Sequence, residues 1–318
     1  MEQFRRSDMF LIRAGISLLS RIASLGRFTR PLGWARQIRK ISRISSIGRP
    51  RCTHPDNRHA LFLWGHGPEL LFDEDATPKA EGADGKRKNS GKPIRKYLTP
   101  SELKRALTET RLVKHKKIDI IGMDACSMSM AETASELGEY VEFMVASQED
   151  VPDTSFPYGE ILSRLRDITS AEDASKMIPA VYLEAFRDYI ASPSTGVRGI
   201  TLSALNLAEM GCVTEALRKL ADALLELSSD PVARSEILKA RKAAQGFVFG
   251  LFVDIVDLCQ KLEASKIDSV NLRSACAEMR EAIAGVVIAN QAHKNQANKE
   301  VGGGRKIEAI DAAGLSIY

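Results

Sequence analysis

The sequence predicts an α/β protein in which a mainly parallel sheet is covered by helices on both faces. Two apolar runs, residues 60–65 and 118–123, are almost continuously hydrophobic, as strands buried on both faces are. Strand-like and helix-like stretches alternate up to residue 208, and stretches with helical spacing of apolar residues follow. We therefore expect a core at residues 58–208 and a helical C-terminal region, residues 209–318, packed on it.

Residues 1–57 differ in composition from the rest of the chain. They carry twelve Lys and Arg residues and few acids, which predicts a basic arm that is disordered or associated with a surface. Residues 10–25 have the spacing of an amphipathic helix, but Arg13 and Arg21 interrupt the apolar run and argue against a secretory signal. An organelle transit peptide and a helix lying on a membrane surface are the alternatives for this arm.

A polar loop, residues 68–96, follows the first predicted strand. It is rich in Lys, Arg, Gly, Pro, Ser and Asn, and a loop of this length inside a domain is usually functional or disordered. Thr99, Pro100 and Glu102 then predict the start of a helix. They match the N-cap, the first helical position and the third position of a capping box.

Further strands and helices are predicted from the period of the apolar residues. In the core we expect a strand at 118–123, a helix at 128–140, a strand at 141–146, a turn at 153–158, a helix at 171–191 and a strand at 200–205. In the C-terminal region we expect helices at 217–227, 251–262 and 271–288 and a last strand at 317–318.

Composition and charge exclude several classes of protein. The net charge of +4 is small for 318 residues, so nucleic acid is not an expected partner. No apolar run approaches the roughly 20 residues of a membrane span. The cysteines are widely spaced and never paired as CxxC, so neither a disulfide framework nor a zinc knuckle is expected; they are Cys52, Cys126, Cys212, Cys259 and Cys276. A cytoplasmic protein is favoured, with secretion or an organelle as alternatives.

His66 and Cys126 each follow one of the two apolar runs. The carboxyl ends of parallel strands meet at one edge of a sheet, where α/β proteins place their sites. A thiol beside an imidazole pairs a nucleophile with a general base, so we expect Cys126 to attack and His66 to transfer protons. The backbone N–H groups of Gly67 and Cys126 are the natural donors to an oxyanion. Buried, inert roles are expected for Cys212, Cys259 and Cys276.

Several short blocks accompany this pair in a fixed order. They are His66-Gly67, Asp124-Ala125-Cys126 with Met128 and Glu132, Val145 to Glu149, Pro157-Tyr158, Phe252 to Asp257 and Gly314 to Tyr318. With these blocks the chain resembles the clostripain-type cysteine peptidases, distant relatives of caspases, from residue 59 to its last residue.

The resemblance implies a caspase-like α/β/α sandwich and a cysteine endopeptidase that cleaves peptides or proteins after Arg or Lys. In that family Asp124 would line the pocket for the basic side chain, since a buried carboxylate pairs with a guanidinium or ammonium group. Asp153 would assist it. The resemblance also implies sheet strands within residues 1–57, but no strand pattern is recognised there, so we expect the N-terminal strands to be missing or displaced.

Relatives in this family mature by internal cleavage, which implies a zymogen that cuts its own loop at 68–96. The candidate bonds follow the basic residues of that loop: Lys79, Lys86, Arg87, Lys88, Arg95 and Lys96. No cofactor and no metal site are predicted, and the sequence leaves a dependence on calcium open. The alternative function is that of an inactive or truncated family member, which binds a partner such as an anionic membrane surface through its basic arm.

Overall fold

A computed structural model describes residues 8–13, 16–18, 58–65, 67, 72–73, 97–109, 116–152, 154–191, 199–294 and 312–318. The described strands are β1 (Asp8–Arg13), β2 (Ile16–Leu18), β3 (His59–Trp64), β4 (Phe72–Asp73), β5 (Tyr97–Leu98), β6 (Ile118–Asp124), β7 (Val141–Ala146), β8 (Gly199–Asn206), β9 (Gly246–Phe247), β10 (Phe252–Asp254), β11 (Val287–Lys294) and β12 (Ser316–Ile317).

Seven of the described strands form a central sheet in the order β11-β8-β7-β6-β3-β1-β2. The neighbours β1, β3, β6 and β7 are parallel, whereas β8 runs antiparallel between β7 and β11 and β2 runs antiparallel to β1. Most strands therefore run in one direction, which confirms the predicted mainly parallel sheet. Two small antiparallel sheets, β12-β10-β9 and β4-β5, lie beside it.

The described helices alternate with these strands. They are α1 (Pro100–Glu109), α2 (Ala131–Leu137), α3 (Tyr158–Leu165), α4 (Ala171–Ala191), α5 (Met210–Leu227), α6 (Pro231–Ala243), α7 (Ile255–Glu263) and α8 (Val270–Val286). The predicted capping box starts α1: the Glu102 carboxylate accepts the N–H of Thr99 at 3.0 Å, and the Thr99 hydroxyl accepts the N–H of Glu102 at 3.2 Å. No helix in the described ranges is long and apolar enough to cross a membrane.

Both faces of the central sheet are buried, as the continuous apolar runs predict. Leu61 and Leu63 of β3 pack with α1, α2, α5, α7 and α8 on one face, whereas Phe62 between them packs with α4 on the other face. All residues of β6 are buried, including Ile120 and Ile121, which face opposite sides. The predicted sandwich of helices around a sheet is therefore confirmed, and its central strand is β6.

The structure corrects the prediction for the N-terminal residues. Residues 8–13 form β1, whose six residues pair in parallel with β3, and residues 16–18 form β2 at the sheet edge. The predicted helix over residues 10–25 is therefore wrong where the structure describes the chain, and the N-terminal strands are present. These nine residues are part of the sheet, not of a disordered or surface-bound arm. A short apolar run such as residues 9–12 fits a helix face and a buried strand equally well, so the sequence period alone does not decide between them.

The C-terminal region contains helices, as expected, and also the strands β9 to β12. Residues 252–254 of the predicted helix at 251–262 form β10, so that helix begins at Ile255. The predicted helix at 271–288 ends at Val286, where the chain turns into β11 and pairs with β8 over residues 287–294. The predicted last strand is present as β12, which pairs with β10. Residues 209–318 therefore extend the central sheet as well as pack on it.

The loop predicted at 68–96 contains a strand near its start. Phe72 and Asp73 of β4 pair with Leu98 and Tyr97 of β5. The two ends of the segment 74–96 are thereby joined by an antiparallel pair, and the segment itself lies outside the described residues.

Candidate active site

The two strands that were expected to carry the reactive residues are neighbours in the sheet. β3 pairs with β6 along its length, and the last pair joins Trp64 to Asp124. The pairing continues beyond β3, because the N–H of Gly65 donates to the carbonyl oxygen of Asp124 at 3.2 Å. The chain after β3 and the chain after β6 therefore leave the sheet side by side. Cys126 follows β6 by two residues; His66 lies outside the described residues.

Gly67 brings the segment that follows His66 into contact with the nucleophile. A Cβ atom at Gly67 would lie 2.0 Å from the carbonyl oxygen of Cys126. No side chain fits at that distance, so only glycine permits this approach of two backbones. The residue next to His66 therefore packs directly on Cys126, in agreement with the expected pairing of the two strand ends.

The sulfur of Cys126 is largely buried and is contacted by the loop after β7. The N–H of Val151 donates to Sγ at 3.3 Å. Burial is the largest effect on this thiol and raises its pKa to about 11; the Val151 N–H lowers it in part, and the nearby carboxylates of Asp150 and Glu149 raise it further. In this conformation the thiol is protonated at neutral pH. It needs a base to become a nucleophile.

Hydrogen bonds fix the two loops that meet at this sulfur. The N–H of Ser127 donates to the carbonyl of Glu149 at 3.1 Å, and the N–H of Ser129 donates to the carbonyl of Ser147 at 2.8 Å. Ser127 has a φ of 54°, in the left-handed region that residues other than glycine seldom adopt. The chain after Cys126 therefore makes a strained turn, a feature that is common where a fold presents a reactive group.

Asp124 ends β6 and is fully buried. Its Oδ2 accepts the N–H of Phe156 at 3.1 Å and the hydroxyl of Tyr158 at 2.7 Å, whereas Oδ1 has no hydrogen-bond partner among the described residues. Burial raises the pKa of Asp124 to about 6, and hydrogen bonds from the Phe156 N–H, the Tyr158 hydroxyl and the Ser155 side chain oppose that rise. The carboxylate is therefore mainly ionised at neutral pH.

A cluster of aromatic rings positions the residues that bind Asp124. The Tyr158 ring meets Phe62 edge to face at 5.6 Å, and the Phe156 ring contacts Tyr182 at 5.5 Å. Gly122 makes room for Phe62, since a Cβ there would lie 2.3 Å from that ring. Burial and the charge of Asp124 raise the pKa of Tyr158 above its usual range, so its hydroxyl remains a donor.

The structure brings together Gly67, Asp124 and Cys126 of the predicted site. His66, Asp153 and the candidate cleavage residues Lys79, Lys86, Arg87, Lys88, Arg95 and Lys96 lie outside the described residues.

Two site residues were not recognised from the sequence. The Pro157-Tyr158 block does not indicate that the Tyr158 hydroxyl binds Asp124. Val151 cannot be recognised from its side chain, because it contacts the sulfur through its backbone N–H.

Four other side chains considered from the sequence lie outside the site. Glu132 accepts the N–H of Tyr318 at 3.2 Å, which is a structural contact. Cys259 and Cys276 are buried, as expected, whereas Cys212 is exposed on α5, contrary to the expectation that it is buried.

Comparison with known families gives a match over most of the chain. The model of the clostripain family matches residues 50–316. None of the curated proteins matches the chain.

Solved structures of similar fold come from the same family. A secreted C11 cysteine protease from Bacteroides thetaiotaomicron, in complex with an irreversible peptide inhibitor, has a TM-score of 0.59 at 13% identity, covering 92% of this chain and 73% of its own. An inactive zymogen C11 protease from Parabacteroides distasonis has a TM-score of 0.58 at 15% identity, covering 95% and 76%. A secreted C11 cysteine protease from Bacteroides thetaiotaomicron that is called iotapain has a TM-score of 0.58 at 16% identity, covering 95% of this chain and 78% of its own.

At these identities the structural likeness shows the fold, and the family match covers the candidate nucleophile and the strands around it. The chain therefore belongs to the clostripain family and is a cysteine protease, a hydrolase that acts on peptides or proteins.

Proposed function

We propose that this protease cleaves after Arg or Lys, with Cys126 as nucleophile and His66 as general base and acid. The observation that carries the proposal is the Asp124 carboxylate, buried two residues before Cys126 and with Oδ1 unpartnered among the described residues. A buried anion with a free acceptor is stabilised by a cationic partner. The guanidinium or ammonium group of a substrate supplies one. Asp153, two residues before Ser155 in the sequence, is proposed as the second acid of this pocket.

The proposed chemistry proceeds in two steps. His66 takes the proton of Cys126, and the sulfur attacks the peptide carbonyl carbon to form a tetrahedral oxyanion, which the N–H groups of Gly67 and Cys126 bind. The C–N bond then breaks, the amine leaves with the proton from His66, and a thioester remains. Water, deprotonated by His66, hydrolyses the thioester to a carboxylate and restores the thiol.

The contact of Gly67 with Cys126 supports this assignment, since it places the residue after His66 on the backbone of the nucleophile. The high pKa of the Cys126 thiol also favours a base close by. The steps use only side chains and backbone of this chain, and turnover measured with and without a chelator tests the dependence on calcium that the sequence leaves open.

The test is cleavage of a mixed peptide library by wild type, Cys126→Ala and His66→Ala. We expect cleavage after Arg and Lys by the wild type, and residual turnover below about 1% in both variants, because loss of a nucleophile or its base costs several orders of magnitude. An acyloxymethyl ketone bearing Arg should label Cys126. Preference for Asp or a large apolar residue would contradict the role of Asp124, and failure to label would favour an inactive family member.

We further propose that the enzyme is a precursor that cleaves itself within residues 74–96, most readily after Lys79. The segment follows His66 and β4 closely in the chain and is rich in the residues that the Asp124 pocket would accept. The structure also supports the expectation that the two pieces would stay together. β3 and β6, which lie on opposite sides of the cut, are paired, and so are β4 and β5.

We also propose that the basic residues within 19–57 attach the protein to an anionic surface; these residues lie outside the described ranges. Co-sedimentation with phosphatidylserine vesicles at rising salt would test it: binding should fall steeply with ionic strength, and binding that is unaffected by salt would contradict it.

A further inference from the structure

Residues 312–318, here called the C-terminal segment, lie in a buried position beside the two active-site loops. Leu315 and Ser316 are fully buried. β12 within the segment pairs with β10 on one side, and Ser316 forms a bridge with Met130 on the other. The chain between β6 and α2, which carries Cys126, is therefore a direct neighbour of this segment.

The peptide groups of Gly314 are held by one side chain from each loop. Its N–H donates to Oε1 of Gln148 at 2.9 Å, in the loop 147–151 that contacts sulfur through Val151. Its carbonyl accepts the hydroxyl of Ser129 at 2.6 Å, in the loop 125–130 that carries Cys126. The segment thus joins the two loops at a single residue.

Gln148 is fully buried, and every polar atom of its amide is used. Besides accepting from Gly314, it donates through Nε2 to Oγ of Ser316 at 2.7 Å and to Oδ2 of Asp254 at 3.0 Å. The same Asp254 oxygen accepts the N–H of Ala313 at 2.7 Å. A buried network in which each group has its partner fixes one arrangement, because any displacement leaves a polar group unsatisfied.

The path of the segment is fixed on its far side as well. Gly314 has a φ of +103°, and a Cβ there would lie 2.9 Å from Oγ of Ser203 in β8. The N–H of Ser316 also donates to the carbonyl of Ser129 at 2.9 Å. The segment therefore rests on the central sheet while it holds the loop of the nucleophile.

We propose that the C-terminal segment is a latch that positions Cys126 for attack, with Ser129, Gln148 and Ser316 as positioning residues. The backbone bonds Ser127–Glu149 and Ser129–Ser147 join the two loops to each other, and the bonds of Gly314 tie both loops to the segment. Together these bonds set where the sulfur lies relative to a bound carbonyl. Displacement of a reacting atom by about 1 Å can cost two orders of magnitude in rate without weakening substrate binding.

The test compares Ser129→Ala and Ser316→Ala with Ser175→Ala, using whichever peptide the wild type cleaves best. Ser175 is a matched control, because it is also fully buried and its hydroxyl donates to a carbonyl, that of Ala171 within α4, at 2.8 Å. We expect the two latch variants to lose about ten- to a hundredfold in kcat with little change in KM. Ser175→Ala should keep its kcat at a comparable loss of stability.

Alkylation of Cys126 by iodoacetamide, followed by mass spectrometry of the peptide that contains it, gives a second readout. A loosened latch exposes the sulfur, so alkylation should become severalfold faster in Ser129→Ala and Ser316→Ala while turnover becomes slower. General destabilisation would produce the same pair of changes in Ser175→Ala, whereas the latch confines them to Ser129→Ala and Ser316→Ala.

The latch is overturned if all three variants keep the kcat of the wild type or if all three lose the same fraction of it. It is also overturned if only KM changes. If the wild type cleaves no peptide, the proposed function fails and the alkylation rates alone decide on the latch. Unchanged rates in both latch variants would then refute it.

Discussion

Asp124 differs from most surface carboxylates because two donors, the Phe156 N–H and the Tyr158 hydroxyl, occupy one oxygen while burial raises its pKa to about 6. This raised value has a consequence for pH. Below about pH 6 the carboxyl is protonated and no longer attracts a cation, so cleavage after a basic residue should weaken relative to cleavage after a neutral residue as pH falls through this value.

Tyr158→Phe removes one of the donors that keep Asp124 ionised. A hydrogen bond to a charged group contributes about 1.5 to 3 kcal/mol, so the pKa of Asp124 should rise by about one unit or more. The measurement is the ratio of kcat/KM for an Arg substrate to that for a neutral one against pH, in which pH effects common to both substrates cancel. We expect the acid limb of this ratio to move to higher pH; an unmoved limb would contradict the role of Asp124.

Gly67→Ala tests the contact between the two strand ends. The added methyl would lie 2.0 Å from a backbone oxygen, so the backbone must move and kcat/KM should fall by about a hundredfold. Gly285→Ala in α8 is the control, since its methyl meets nothing within 4 Å in the described part of the chain. It should leave activity unchanged and stabilise the helix by up to about 1 kcal/mol. Full activity in Gly67→Ala would separate this contact from catalysis.

At the scale of elements, β1 changes the expectation for the N-terminal residues. Its loss would expose the edge of β3, whose residues Leu61, Phe62 and Leu63 are core residues. Deletion of residues 1–18 should therefore lower the free energy of unfolding by roughly 3 to 6 kcal/mol, at about 1 kcal/mol per lost hydrogen bond, and promote aggregation through the open edge.

Deletion of residues 1–7 is the matched control for this experiment, because it leaves β1 in place. Thermal unfolding followed by circular dichroism should distinguish the two deletions. If both proteins unfold at the same temperature as the wild type, β1 does not contribute to the core, and a disordered or surface-associated arm is the better description of these residues.

The elements that the sequence predicts have a clear local pattern, whereas α6 and β11, which it does not predict, lack one. β3, β6, β7 and β8 are long apolar runs, and the α1 capping box is a local pattern, so each is visible within a few residues of sequence. α6 buries only Ala233 and Ala240, which give no apolar stripe. β11 is half polar, with Asn290 and Gln291 paired at the sheet edge.

In the site, too, the residues that the sequence predicts stand in short local blocks, whereas the contacts that it misses join residues far apart in the chain. Cys126, Asp124 and Gly67 stand in short blocks that end apolar runs, which is why they were found. The donors to Asp124 come from residues 156 and 158, and Gln148 meets Gly314 from far away in the chain. Such contacts depend on the order and register of strands, which a periodic pattern does not encode.

At the scale of the whole molecule, self-cleavage should divide the 34.9 kDa chain without separating its parts. A cut after Lys79 gives pieces of about 9 and about 26 kDa on a denaturing gel, since exposed loop tips are the usual sites of nicking. Cys126→Ala should stay whole. Identical nicking of that variant would identify another protease as the agent, and a fully active uncut wild type would refute the precursor.

Size-exclusion chromatography of the cut protein should give a single species of unchanged size, because β3 and β4 of the small piece pair with β6 and β5 of the large piece. Separation of the two pieces without denaturant would contradict the shared sheet.

Because β4 pairs with β5, the sequence of the segment 74–96 and the stability of the central sheet can change independently in evolution. Residues 73 and 97 face each other across one strand spacing, so the 23 residues between them form a closed excursion whatever their own structure. The entropy of closing such an excursion grows slowly, by about 0.6 kcal/mol for each doubling of its length. Under the cleavage proposed above, insertions or replacements there would change which protease, or which signal, triggers that cleavage, at almost no cost to the sheet that carries Cys126.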